Sequence, residues 1–416
     1  MRNKFLSGFL AGLAGALIIF TIALTIYVVG PNAKDDNQGL NKINNAEAAT
    51  KTEDEEYKEK ILQKMKKIEA LIDHYYLKEV DEEAIADGVY KGMLQSLGDP
   101  YSTYYTKDEY KALMESTSGV YCGIGATVTQ DVTTGIISIV KPFVTGPAYK
   151  AGILPGDIIY KVAGKEVTGF DLTEVVSRIK GEEGTKVDIT IIREGETEPL
   201  EFSIPRKIVE VPTISFEMLD GNIGYIEVTE FDEVTAQQFR KAIDELDKQG
   251  QKGLIVDIRN NPGGLLDTVV DMLDRMLPKG LIVYTEDKYG HREEKKSDGK
   301  EEFNKPLAVL INGHSASASE IFAGAIQDYK KGTIVGTTSF GKGIVQSIIP
   351  LQDGTAIKVT VSKYFTPKGQ DIHGVGIKPD VTVELDKELK KKVVIKKEED
   401  NQLQKAIEII KKEIEK

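Results

Sequence analysis

The sequence predicts an α/β protein with a small strand-rich domain ahead of a mixed core. Three observations carry that prediction. From about Thr213 onward, short apolar runs at Gly224–Val228, Leu254–Asp257, Leu307–Ile311 and Thr333–Val335 alternate with helix-patterned stretches at Val234–Gln249, Leu265–Leu277 and Ala318–Tyr329. Strands alternating with helices build βαβ units around a largely buried sheet. From Ser118 to about Pro205 the pattern is instead strand-like, at Ala126–Val128, Gly135–Val140 and Val187–Ile192. One main helix is expected there, because Leu172, Val175, Val176 and Ile179 fall at helical spacing. Finally, Phe5 to Gly30 is apolar apart from Ser7, Thr21 and Thr25, and as a helix it exceeds the roughly 30 Å hydrocarbon core of a membrane.

The elements follow in order. Arg2 and Lys4 precede the apolar segment and no basic cluster follows it at once. The positive-inside rule then places Met1 in the cytoplasm and the bulk of the chain outside, as a single-pass anchored protein. A cleaved signal peptide competes with this reading, with Ala46-Glu47-Ala48 as a distant cleavage site and secretion as the consequence. Residues 31–55 read as a polar tether. Residues 56–117 form a helical segment, with Tyr57, Ile61, Met65, Ile68, Ile72 and Tyr75 on one stripe and a second helix from Asp81 to about Leu97 that Gly98-Asp99-Pro100 stops. The strand-rich domain spans 118–205 and the core 206–390. Tyr284 to Asn304 is charged, and Lys295–Lys300 is expected as a surface loop. Residues 391–416 end in an amphipathic helix with Leu403, Ala406, Ile407, Ile410 and Ile414 on one face, suited to the body of the protein or to a second subunit.

Charge and cysteine content exclude several classes. The 416 residues carry 66 acidic and 54 basic side chains, a net charge of −12. A nucleic-acid binder needs a basic face, so none is expected as a partner. Cys122 is the only cysteine, so neither an internal disulfide nor a Cys-rich zinc site can form, and the residue reads as a small packed side chain.

The chemistry concentrates in Asn312-Gly313-His314-Ser315-Ala316-Ser317-Ala318-Ser319-Glu320, where an apolar strand runs into an apolar helix. A serine at a helix N-terminus meets free amides and the positive dipole end, which favour a developing negative charge. Ser317-x-x-Glu320 is equally a capping box. A nucleophilic serine needs a base. Of the histidines, His314 is too close in sequence for an easy pairing, His74 and His291 lie elsewhere, and His373 is the most plausible. Lys342, within Thr338-Ser339-Phe340-Gly341-Lys342-Gly343, is the stronger candidate, because burial lowers a lysine's pKa. Arg259-Asn260-Asn261-Pro262-Gly263-Gly264 follows a buried strand and can aim amides at an anion; the spacing of a phosphate-binding loop is absent. In the small domain, Tyr121-Cys122-Gly123-Ile124-Gly125-Ala126 frees amides beside a strand. A peptide could add there, facing the helix that carries Val175 and Ile179.

These motifs together resemble the C-terminal processing peptidases, also called tail-specific proteases. Gly98-Asp99-Pro100-Tyr101-Ser102, the 118–205 segment as a PDZ domain, the Gly-rich turn, Ser315-Ala316-Ser317-Ala318-Ser319-Glu320, Phe340-Gly341-Lys342-Gly343-Ile344-Val345-Gln346 and the closing segment from Tyr364 to Asp380 fall in the family's order. The resemblance implies a crotonase/ClpP-like αβ protease core with an inserted PDZ domain. It implies Ser317 as nucleophile, Lys342 as general base and Gln346 as its assistant. Ala318 with Gly263 or Gly264 would form the oxyanion hole. Gly123, Ile124, Gly125, Ala126, Val175 and Ile179 would hold the tail of a substrate protein. No metal or organic cofactor is implied. A homodimer built by the terminal helices, envelope or secreted substrates including regulatory proteins whose cleavage signals, and a gating PDZ domain complete the expectation. Two other functions compete: a PDZ scaffold at the membrane with an inactive core, and an acyl-CoA enzyme of the same fold.

Overall fold

A computed structural model describes residues 51–392 and 395–416. The expected membrane segment therefore lies outside the described residues. Among these, no helix is long and apolar enough to cross a membrane. The described residues divide into two units, one ending at Ile85 and the other spanning Ala86–Lys416. In the first, Lys51–Tyr75 is one helix, and Tyr57, Ile61, Ile68 and Tyr75 on its apolar stripe are exposed.

The second unit holds two bodies of structure joined by a short stalk. The smaller is a six-stranded sheet ordered Ala126–Gln130, Ile137–Pro142, Ile158–Val162, Lys186–Ile192 and Leu200–Pro205, with Lys165–Glu166 paired beside Ile158–Val162. Alternation sorts its strands: Val187, Ile189 and Ile191 point inward onto Val175 and Ile179 of the Leu172–Ile179 helix. Val120–Gly123 and Lys207–Glu210 pair antiparallel and tie the two ends of this body together.

The larger body is built on a sheet ordered Ile214–Leu219, Ile223–Val228, Gly253–Asp257, Leu307–Ile311, Thr333–Gly336 and Val381–Thr382. Only the first pair is antiparallel. Strands buried on both faces need continuous apolar runs, and Leu307–Ile311 is buried at every position. One face is covered by the helices Thr235–Lys248, Leu266–Asp274 and Ala318–Asp328, through Phe239, Leu273 and Phe322. The other is covered by Asn401–Ile414, whose Leu403, Ala406 and Ile410 pack on Ile223, Ile255 and Leu310. The terminal helix thus packs on its own chain.

A second sheet corrects the expected surface loop. Gly280–Asp287 and Arg292–Ser297 form a hairpin, and Lys295 and Lys296 are strand residues. The hairpin's second strand lies at the edge of that sheet. An exposed edge tolerates and favours charge, so its sequence lacks the apolar alternation that marks a strand. Ala356–Phe365 is the hub of the same sheet, pairing with Thr103–Tyr105, Gly280–Asp287 and Ile344–Pro350.

Candidate active site

Ser317 stands between the buried strand Leu307–Ile311 and the helix Ala318–Asp328, at φ 54° and ψ −113°. Positive φ is costly for a residue with a Cβ, on the order of 1–3 kcal/mol, and persists only where the surroundings enforce it. The enforcement is visible. Ser315 Oγ donates to Ile258 O (2.8 Å), Ser319 Oγ donates to Asn261 O (2.9 Å), and Ala316 N–H donates to Asn261 O (3.1 Å). The serine turn is therefore stitched to the Gly-rich turn on the neighbouring strand.

Gly263 fits directly against Ser317. A Cβ on it would lie 2.8 Å from Ala316 O and Ser317 Cβ. Its amide, however, donates to Asn261 Oδ1 at 2.8 Å, so Gly263 N–H is already committed. Of the two glycines expected as oxyanion donors, Gly263 has its amide turned to Asn261. Ala318 opens its helix, where the first amides have no helical acceptor. Gly264, at φ 147°, packs against Phe231.

The carboxylate of Glu320 joins the serine turn to the lysine loop. It is fully buried and accepts four hydrogen bonds. Ser339 Oγ (2.5 Å) and Gly341 N–H (2.7 Å) reach Oε1; Lys342 N–H (2.8 Å) and Ser317 N–H (2.9 Å) reach Oε2. Sequence reasoning saw Glu320 only as a cap, and the Ser317 N–H bond is that cap's carboxylate half. Tyr364 reinforces the junction. Its buried hydroxyl lies 2.6 Å from Lys342 O and 3.0 Å from Ser317 O and donates its single proton between them.

Lys342 is half-buried, and its Nζ lies 4.5 Å from the Tyr101 ring centre. Burial holds its pKa below the usual lysine value. Lys358 pushes it the same way, while Asp99 and Glu320 oppose. Gln346 Nε2 donates to Thr360 Oγ1 (3.2 Å), which donates to Asp99 Oδ2 (2.6 Å). Asp99 and Tyr101 thus line the lysine from the Gly98–Ser102 motif, to which sequence reasoning assigned no role in the site. Of the histidines, His291 pairs with Asp287, and exposed His373 accepts Gly343 N–H at 3.4 Å beside the lysine loop. His314 is exposed on the turn. Among the described residues no group of three or more His, Cys, Asp or Glu is set to hold a metal.

The Gly-rich turn is fixed from behind. Arg259 binds Asp257 and Asp400 through the same Nη2 (2.6 and 2.8 Å), and Tyr225 donates to Asp257 (2.8 Å). Both carboxylates hold the buried guanidinium's pKa above its usual value.

In the small domain, Ile124, Ala126, Val128, Val176 and Ile179 border a cavity of about 350 Å³. Val175 does not; it is fully buried in that domain's core. Adjacent helix positions are rotated by roughly 100°, so Val176 takes the groove-facing place expected of Val175. Cys122 lies half-buried in the stalk, and burial pushes its thiol up.

Three family models match the chain. They are peptidase family S41 over residues 222–383, the N-terminal domain of the activating protease CtpB over 19–109, and a PDZ domain over 143–193. A carboxy-terminal-processing protease of Bartonella bacilliformis is 41% identical, over 73% of this chain and 70% of its own length. The chain belongs to the carboxy-terminal processing proteases, the serine peptidases of family S41. The protease CtpA of Bacillus subtilis is 43% identical over 74% of this chain, and the match spans 66% of that relative. A crystal structure assigned to the S41 proteases, from Bacteroides fragilis NCTC 9343, shares the fold. Its TM-score is 0.50 at 17% identity, over 77% of this chain and 90% of the other. The S41 match contains Ser317, Lys342 and Gln346, and the CtpB-type match contains Asp99 and Tyr101.

Proposed function

We propose that this S41 member cuts polypeptides with Ser317 as nucleophile and Lys342 as general base. The observation that carries the reading is the shared Glu320 carboxylate, one oxygen of which accepts both Ser317 N–H and Lys342 N–H. Neutral Lys342 takes the Ser317 proton as Oγ attacks a backbone carbonyl. The carbonyl oxygen becomes an oxyanion facing Ala318 N–H and an amide of the Gly-rich turn, for which Gly264 is the free choice. The C–N bond then breaks, the lysine proton goes to the leaving amine, and an acyl-enzyme remains that water hydrolyses. Removing one oxyanion donor from such a site costs on the order of 10²–10³ in rate. Gln346 acts on this reading through Thr360 and Asp99 rather than on the lysine itself.

The same proposal extends to the substrate and its place. The core is read as crotonase/ClpP-like. The groove between strand Ala126–Gln130 and helix Leu172–Ile179 receives the C-terminal tail of an extracytoplasmic protein. The apolar 5–30 segment anchors the chain in the cell membrane, and the exposed stripe of helix Lys51–Tyr75 pairs two copies.

The test is direct. Full-length chain in detergent is incubated with an unstructured protein, beside Ser317→Ala, Lys342→Ala and His373→Ala versions. Cleavage by wild type and His373→Ala alone is expected. Cleavage that survives Lys342→Ala but not His373→Ala overturns the assignment of the base, and no cleavage by any version favours an inactive scaffold.

A further inference from the structure

The 350 Å³ cavity beside the small-domain groove is lined by Ile124, Val128, Phe143, Val176 and Ile179 and also by two acidic residues of the protease core, Glu230 and Asp232. Asp232 is 7% exposed, yet among the described residues its carboxylate has no hydrogen-bond or ion-pair partner. A buried carboxylate is costly unless paired, so an unpaired one facing a cavity asks for a partner from outside.

The other charges around the cavity do not supply that partner. Lys180 lies 3.0 Å from Glu115 and over the Tyr121 ring at 5.1 Å, so its charge is engaged. Among the described residues, Glu230 is the charged group that acts on Asp232, and it adds to the burden rather than relieving it. Burial and Glu230 together push the Asp232 carboxyl up to about 6.

The group is rigidly presented. Asp232 N–H donates to Thr235 Oγ1 (2.9 Å), and its carbonyl accepts Thr268 Oγ1 (3.1 Å) and Thr235 N–H (3.0 Å). The preceding residue, Phe231, donates N–H to Gly263 O at 3.1 Å. Asp232 therefore stands one residue from a backbone bond to the turn that flanks Ser317.

We propose that this cavity selects peptide tails bearing a lysine or arginine, whose side chain runs along the apolar wall and sets its cation against Asp232. The long methylene stem of either side chain matches the apolar wall, and the charged head matches the carboxylate pair. The cavity volume falls in the range of small-ligand pockets and holds one such side chain. This rests on the reading of the groove as the tail site, and it adds a rule for which tails are taken.

The test uses full-length chain in detergent carrying Ser317→Ala, so that peptides are bound and not cut. Fluorescent peptides with a free C-terminus and an apolar last residue are compared in pairs, lysine against norleucine, at each of the positions preceding the end. At one position lysine binds at least about tenfold tighter than norleucine. In Asp232→Asn that ratio falls below about twofold, and in Asp232→Glu it persists. The ratio is measured within one variant, so partial misfolding, which weakens both peptides, does not move it. Equal binding of lysine and norleucine at every position, or a preference that survives Asp232→Asn, overturns the inference while leaving the groove as a tail site. Failure of every peptide to bind overturns both.

Discussion

The Glu320 side chain holds Lys342 by its backbone amide: Glu320 Oε2 accepts Lys342 N–H at 2.8 Å while also holding Ser317 N–H at 2.9 Å. Four donors converge on this carboxylate, which suits a group that only accepts. Glu320→Gln places an NH₂ where two of those donors point. The expected result is a loss of kcat of about 10²-fold or more, with stability lower by on the order of 2–4 kcal/mol from unmade buried hydrogen bonds. Denaturant melts and peptide turnover check both. Full activity in Glu320→Gln would show that the clamp does not set the geometry.

The pH profile reports the lysine. A general base works deprotonated, so kcat/KM rises with pH through the Lys342 pKa. Burial first, then Lys358, holds that pKa below the usual value. Lys358→Met removes a like charge and lets the ammonium form persist to higher pH. Its rising limb is expected to move to higher pH, with the plateau rate retained. An unmoved limb, or one displaced to lower pH, contradicts the assignment of the limb to Lys342.

Gly263 and Gly313 make a matched pair. A Cβ at Gly263, where φ is +107°, meets Ser317 Cβ and Ala316 O at 2.8 Å. At Gly313, on the same serine turn, it meets only Thr338 O at 3.9 Å. Gly263→Ala is expected to displace Ser317 and so lose about 10²-fold or more in kcat/KM, with on the order of 1–3 kcal/mol lost in stability. Gly313→Ala is expected to stay near wild type. Similar kinetics for the two variants would disprove the steric argument.

How much of this was legible in the sequence varies with distance along the chain. The strands Gly253–Asp257 and Leu307–Ile311 and their following helices were readable because buried parallel strands are continuous apolar runs. The hairpin Gly280–Ser297 was not, because an edge strand rich in Arg, Glu and Lys reads as a solvated loop. Within the site, Ser317 and Lys342 were found by motif and by the poverty of alternatives. Glu320 was visible only as a cap: its bonds to Ser339, Gly341 and Lys342 cross about twenty residues and exist only once the loop folds back. The roles of Asp99 and Tyr101 depend on strand Thr103–Tyr105 pairing with Ala356–Phe365, a register no local pattern encodes. Asp232 carried no signal, since an acidic residue just before a helix is common.

Asp232 also gives a stability prediction that does not involve any substrate. Its folded carboxyl pKa is raised from the ordinary 3.8 to about 6. A raised folded pKa means the folded state holds the proton more tightly, so the stabilisation is complete below about pH 3.8 and is lost as pH rises through about 6. Above that, wild type carries a buried, unpaired charge. Asp232→Asn is neutral throughout and keeps the shape. It is expected to match wild type near pH 4 and to exceed it at pH 8 by on the order of 2 kcal/mol, seen as a higher Tm at pH 8 alone. An equal Tm at both pH values would mean that the carboxylate finds a partner in solution.

The last relationship lies behind the Gly-rich turn. Arg259 is buried between Asp257 and Asp400, and Asp400 also caps helix Asn401–Ile414 by accepting Gln402 N–H and Leu403 N–H at 3.0 Å. The terminal helix is thus tied to the loop that flanks Ser317. Breaking a buried pair by removing one partner costs about 3–5 kcal/mol, because the remaining charge stays buried. Asp400→Ala removes the cap and one of the two carboxylates on Arg259 while Asp257 still holds the guanidinium, so it should destabilise by about 1–3 kcal/mol and also lower kcat by loosening the turn. Leu403→Ala offers the contrast. It deletes packing against the sheet, costing about 2–5 kcal/mol, but leaves Arg259 held. At a temperature where both variants are folded, Asp400→Ala is expected to turn over peptide more slowly than Leu403→Ala. Equal turnover would mean that the helix supports the sheet and not the site.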